Sequence, residues 1–307
     1  MRSGIPSFAH ALSRMLALAL VLAACSGEPA GTPVSVESPA PPTSAPTDEP
    51  PTPEPIVAFT ATATPPPAGC ADTHGHVEIT EFETPLVPRP VEVRVYFPPC
   101  YDPEPRSPYP VLVMIHGQTY TADQWDRLGL DEAADAAIVA GESRPFLIFM
   151  PLEEHTERDP EISNFDVVVT DALLPWIDAN YPTCQERACR AIGGLSRGAT
   201  WAVHIGFLQP EIFGSIGAHS LTPFFGDVYR LPYWLMRTEV GDLPRFYLDM
   251  GEDDWFMEAL AQYRAAMMEN GVAFEWHLDS GSHDEDYWSS HVADYIRWYA
   301  SGWPALP

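Results

Sequence analysis

Residues 190–199 read RAIGGLSRGA, which sets Ser196 between Gly194 and Gly198 in the spacing G-x-S-x-G. A serine hydroxyl is a poor nucleophile at neutral pH, so it needs a general base, and the base needs an acid to orient it. Downstream, LDMGEDD ends on Asp254, three residues beyond Gly251, and Asp254 is the expected acid; Asp253 is its nearest competitor, while Asp249 falls inside the apolar run. The segment Gly281-Ser-His283 follows the next apolar run and supplies the expected base, His283. Together these three residues could attack an acyl carbonyl and pass through a covalent acyl-enzyme. Two backbone N–H groups would have to receive the developing oxyanion. The expected donors are Arg197, next to the serine, and Gln118, in the loop His116-Gly117-Gln118, where His116 shapes the loop rather than acting as base.

Such a constellation works only if strands deliver its members to one edge. Val111–Ile115 and Phe146–Met150 are continuous apolar runs, expected as central strands buried on both faces. Leu130, Ala133, Ala134, Ala137 and Ile138 recur at helical spacing, as do Val169, Ala172, Leu173, Trp176 and Ile177. A short strand at 191–193 runs into the serine turn, and a helix over 197–207 leaves it. Further strands are expected at 213–217, 246–250 and 272–278, with a helix at 257–269 and a last helix striped by Trp288, Val292, Tyr295, Ile296 and Tyr299. Before all of these, Val77 and Ile79, then Val91, Val93 and Val95, alternate as an antiparallel hairpin. The expected fold class is therefore α/β, with a mostly parallel central sheet, an antiparallel N-terminal hairpin and helices on both faces. In such sheets chemistry lies beyond the carboxyl ends of the strands, where Ser196, Asp254 and His283 all fall. A serine between strand and helix is a nucleophile elbow, and the chain order Ser, Asp, His is that of α/β-hydrolases.

The ends of the chain address location. Arg2 and Arg14 precede the apolar run Met15–Ala24, too short to span a bilayer but suited to a signal-peptide core. Leu22-Ala-Ala-Cys25 resembles a bacterial lipobox, so residues 1–24 are expected to be a lipoprotein signal peptide and Cys25 the lipidated residue. The next stretch, through residue 69, is rich in Pro, Thr and Ala and contains no basic residue; it is expected to be a disordered tether with polyproline II character. Residues 70–307 then form the expected catalytic domain, on the outer side of the membrane and attached to it only through the lipid. The formal charge is -27, and all 16 basic residues are arginine. With so few cations, a nucleic-acid partner is not expected. Of the five cysteines, four remain after Cys25. Cys70 before the hairpin and Cys100 after it would meet at one end, which suggests that they pair and that Cys184 and Cys189 close a small loop. Neither spacing resembles a zinc pair, and no metal is expected.

From about Val77 onward the chain resembles the α/β-hydrolase esterases of the esterase D and feruloyl esterase group, which are also similar to mycolyltransferases and siderophore esterases. The matching pieces are YPVLVMIHG, LLPWIDANY, RAIGGLSRGA, LDMGEDD and GSHDEDYW. The resemblance implies a serine carboxylesterase with Ser196, Asp254 and His283 in the catalytic positions, a small ester as substrate, and no metal or organic cofactor. It departs at one place: many relatives carry Met-Gly-Gly after the serine, whereas here Arg197-Gly198-Ala199 follows. Arg197 is read either as solvated or as a contact for an anionic substrate group. Trp125, Glu153, Glu154, His155, Trp255 and Tyr287 stand on or near strand-end loops and are candidates to line a pocket for an aromatic or sugar ester. The same triad could transfer the acyl group to a sugar or lipid alcohol, and an inactive surface-binding domain is the third possibility; an intact triad argues against that one.

Overall fold

The apolar runs become the middle of the sheet because helices cover both of their faces. In β3 (Val111–Ile115), Val111, Val113 and Ile115 join one core cluster while Leu112 and Met114 join the other, so successive side chains alternate between two separate cores. The computed structural model describes residues 70–305. The expected signal peptide, the tether through residue 69 and Cys25 lie outside the described residues.

The sheet has eight strands: β1 (His76–Phe82), β2 (Val91–Phe97), β3, β4 (Leu147–Pro151), β5 (Arg190–Leu195), β6 (Ser215–His219), β7 (Arg245–Gly251) and β8 (Glu275–Asp279). Their spatial order is β1-β2-β4-β3-β5-β6-β7-β8. The β1–β2 and β2–β4 pairs are antiparallel and every other pair is parallel, which is the expected hairpin-plus-parallel architecture. One face carries α1 (Gln124–Arg127), α2 (Leu130–Val139) and the C-terminal helix; the other carries the helices between β4 and β5 and those that follow β5, β6 and β7. In chain order these are α3 (Pro160–Ser163), α4 (Phe165–Val167), α5 (Leu174–Asn180), α6 (Arg197–Leu208), α7 (Asp227–Leu235), α8 (Met257–Glu269) and, on the first face, α9 (Glu285–Ser301).

Three expected elements differ in detail. The helix expected around 169–177 widens to π geometry over Val168–Leu173 before α5. Pro175, at the start of α5, has no N–H to donate into the preceding turn, so the regular ladder is broken there. β6 begins two residues later than expected, where Ser215 pairs with Ala191 of β5. β8 begins at Glu275 rather than 272, because the Val272 N–H still bonds the Met267 carbonyl and Gly271, with φ 74°, turns the chain out of α8. Disulfides join Cys70 to Cys100 and Cys184 to Cys189, the expected pairing.

Candidate active site

β5 delivers Ser196 to the carboxyl edge, and the turn there is tight. Ser196 has φ 53° and ψ -119°, a conformation that non-glycine residues avoid and that persists only where the surroundings impose it. Two glycines allow it: a Cβ on Gly198 would overlap the Ile115 carbonyl oxygen, and one on Gly194 would overlap the Gly198 backbone. The first turn of α6 therefore packs directly on the end of β3. Its leading N–H groups, beginning with Arg197, have no partner within the helix and stand at the positive end of its dipole.

His283 lies between β8 and α9, with Nε2 2.9 Å from Ser196 Oγ and Nδ1 2.7 Å from Asp254 Oδ2. A carboxylate accepts at Nδ1, so that nitrogen carries the proton and Nε2 is left to accept from the serine hydroxyl. Asp254 is buried, and its other oxygen accepts the Phe256 N–H at 2.8 Å, which sets the carboxylate plane. Asp253 is exposed, and its backbone N–H donates to the Gly281 carbonyl, whereas Asp254 is the carboxylate that reaches the imidazole. The Asp284 carboxylate accepts the Tyr287 N–H and caps α9, fixing the loop immediately after His283. Trp288 meets the imidazole edge-on at 5.1 Å between ring centroids, and Phe256 and Trp255 flank it at 4.9 and 5.4 Å.

The loop after β3 borders Ser196, since a Cβ on Gly117 would lie 3.8 Å from Ser196 Cβ. Its path is held from three sides. The Gly117 N–H donates to the buried Gln124 side chain at 2.8 Å, and Gln124 in turn reaches Glu285 at the start of α9. The Gly117 carbonyl accepts His116 Nδ1–H at 2.8 Å, and His116 Nε2 accepts the Glu153 N–H at 2.9 Å. Both nitrogens of His116 are thus committed, and burial holds its pKa below the ordinary imidazole value. His116 shapes the loop and has no free nitrogen with which to act as base; Gln118 follows it on an exposed turn.

Of the six candidate pocket residues, Trp125 and Tyr287 are buried and not available to a substrate. Trp125 is fully buried and its indole N–H bonds the Ile115 carbonyl at 2.9 Å, so it supports β3 from beneath. Tyr287 is buried with its hydroxyl 2.9 Å from Asp249. Helical spacing put both rings on inward faces, and their polar tips found partners inside the fold. Trp255 does stand open beside His283, at 69% exposure. His155 is partly exposed and lines a cavity of about 260 Å³ with Glu153, Glu154, Arg89 and Arg158. Glu154 pairs with Arg89.

Arg197 matches neither expectation for it. Its side chain is buried and forms a two-pronged ion pair with Glu153, Nε to Oε2 at 2.9 Å and Nη2 to Oε1 at 2.6 Å. The guanidinium also lies against the Phe224 and Trp201 rings. The signal that sequence reading passed over was an arginine in the first turn of a buried helix, in a chain with few cations and a glutamate at a strand end.

Residues 85–299 match the family model described as "Putative esterase". The chain belongs to this esterase family. Over 161 residues it is 27% identical to an endo-1,4-beta-xylanase/feruloyl esterase of Xylanibacter ruminicola, covering 47% of this chain and 21% of that protein. Over 187 residues it is 21% identical to an acetyl esterase of Caldicellulosiruptor saccharolyticus, covering 49% of this chain and 70% of that esterase. The match thus spans about a fifth of the first relative's length. A solved ferulic acid esterase superposes with a TM-score of 0.67 at 21% identity, over 75% of this chain and 100% of that one. This likeness is one of fold, and it agrees with the α/β-hydrolase architecture of the sheet.

Proposed function

We propose that the domain hydrolyses carboxylic esters through an acyl-enzyme on Ser196. The observation that carries this reading is the unbroken line from Ser196 Oγ through His283 to Asp254, at 2.9 and 2.7 Å, at the mouth of a helix N-terminus. In the first step His283 Nε2 takes the serine proton as Oγ attacks the ester carbonyl. Asp254 steadies the imidazolium, and the Arg197 and Gln118 N–H groups receive the oxyanion. The alkoxide then leaves with the proton from His283. Water, deprotonated by the same nitrogen, attacks the acyl carbon and releases the acid.

The names of the relatives, feruloyl and acetyl esterase, together with the open indole of Trp255 beside His283, support esters of aromatic or short acids on sugars as the substrate class. Signal-like residues 1–24 and Cys25 support export and lipid attachment. The test is a panel of feruloyl sugar esters, acetylated sugars and p-nitrophenyl acetate, run with and without an alcohol acceptor on wild type and Ser196→Ala. The expected result is hydrolysis that falls about 10⁶-fold in kcat in the variant. Residual turnover near wild type would defeat the mechanism, and product appearing mainly on the alcohol would make the protein a transferase. Cell fractionation in the same experiment should find the activity in the membrane fraction and move it to the soluble fraction in Cys25→Ser; activity that stays with the membrane would remove the lipid anchor.

A further inference from the structure

Glu153 joins both sides of the proposed oxyanion site. Its side chain is almost wholly buried at the end of β4, yet all of its acceptor capacity is engaged: Oε1 takes Arg197 Nη2 at 2.6 Å and the Ser163 hydroxyl at 3.2 Å, and Oε2 takes Arg197 Nε and the Trp201 indole, each at 2.9 Å. Three of these contacts grip the first two turns of α6, two of them on Arg197, whose backbone N–H the helix supplies. The Glu153 backbone N–H meanwhile holds His116 Nε2, and His116 Nδ1 holds the Gly117 carbonyl, next to the Gln118 N–H. One residue therefore ties the helix-side donor and the loop-side donor to the same strand end.

We propose that Glu153, through its ion pair with Arg197, is a positioning residue that sets the spacing of the two oxyanion donors. It does so without touching the substrate. This rests on the acyl-enzyme reading above. The pair also removes Arg197 from solvent, so position 197 offers substrate its backbone and no free cation. A donor displaced by a fraction of an ångström stabilises the tetrahedral oxyanion less while leaving the ground-state ester almost unaffected. The consequence is a loss in kcat with little change in KM.

The test measures kcat, KM, melting temperature and affinity for a phenylboronic acid, which forms a tetrahedral adduct on the serine, in wild type, Glu153→Gln, Arg197→Met and the double variant. In Glu153→Gln, kcat should fall about 10- to 100-fold, KM should stay within about threefold, and boronate affinity should fall in step with kcat. Either single change leaves a buried charge without its partner and should lower the melting temperature; the double variant removes both charges and should recover it. If Glu153 positions the donors, kcat remains low in the refolded double variant, and this arm decides the matter even where a single variant does not fold. A kcat within twofold of wild type in folded Glu153→Gln, a rise in KM that accounts for the loss, or recovery of kcat along with stability in the double variant would each overturn the proposal. Absence of Ser196-dependent turnover in wild type would instead defeat the underlying acyl-enzyme reading, so the two failures are distinguishable.

Discussion

β7 and the loop that follows it hold two aspartates, each 2.7 Å from a histidine: Asp249 from His219, and Asp254 from His283. The dyads are alike at the aspartate end and differ at the far nitrogen. His283 Nε2 faces Ser196 Oγ at 2.9 Å, whereas His219 Nε2 faces the Tyr299 hydroxyl at 3.0 Å. The second dyad is sealed: His219 and Asp249 are fully buried, and the other Asp249 oxygen accepts from Tyr287 and Tyr295 at 2.9 and 2.7 Å. Burial first, and the charge of Asp249 second, push these two tyrosine hydroxyls far above the ordinary phenol range, so they remain donors. An aspartate–histidine pair is by itself only a proton acceptor in waiting. What sets one of them apart is the Ser196 hydroxyl at its open nitrogen, the contact that the proposed hydrolysis uses. Enclosed by tyrosines, the other pins α9 to the sheet, and α9 begins right after His283.

Exchanging the aspartate for asparagine in each dyad should separate the roles most sharply. In Asp254→Asn the imidazole loses its orienting carboxylate, and kcat should fall roughly 10⁴-fold in protein that still folds. In Asp249→Asn, a buried charge with three donors on it is replaced, and stability should fall by about 3 kcal/mol. Turnover per folded molecule should there stay within about fivefold of wild type, since no reacting atom is touched. Urea unfolding and active-site titration on both variants read the contrast; a collapse of kcat in folded Asp249→Asn would make the buried dyad part of the machinery.

A smaller effect concerns His116, a third imidazole with both nitrogens occupied. Its pKa is lowered in the fold, so between that value and the unfolded one, near 6.5, the unfolded chain binds the extra proton. Its contribution is thus complete above about pH 6.5 and is lost as pH falls through the folded value, with a slope no steeper than about 1.4 kcal/mol per pH unit. Unfolding at a series of pH values should show this slope in wild type and a shallower one in His116→Gln. Equal slopes in the two would mean that His116 does not titrate with folding.

That Ser196, a carboxylate after β7 and His283 would meet was legible because each is punctuated locally. A glycine-bounded serine precedes a helical stripe, and an acid and a histidine each follow a β-rich run. Alternating apolar patterns likewise placed the hairpin, the parallel strands and the helices that cover them. Local pattern also carried the Cys70–Cys100 and Cys184–Cys189 pairings, because the hairpin brings the first two to one end and leaves the others five residues apart.

Which polar groups face one another across distant segments depends on how the strands are ordered in the sheet. Asp254 and Asp253 are adjacent in the chain and equivalent in composition; the turn after Gly251 buries one and exposes the other. Trp125 and Tyr287 read as pocket residues until the packing of α1 and α9 buried them. Glu153 and Arg197 are 44 residues apart, and Asp249 and Tyr295 are 46 apart, separations that no period or motif records. The physical reason is that periodicity reports how a segment sorts its side chains between oil and water. A hydrogen bond or ion pair reports which two segments the sheet happens to set side by side. The first is written in each stretch of sequence, and the second exists only once the strands are ordered.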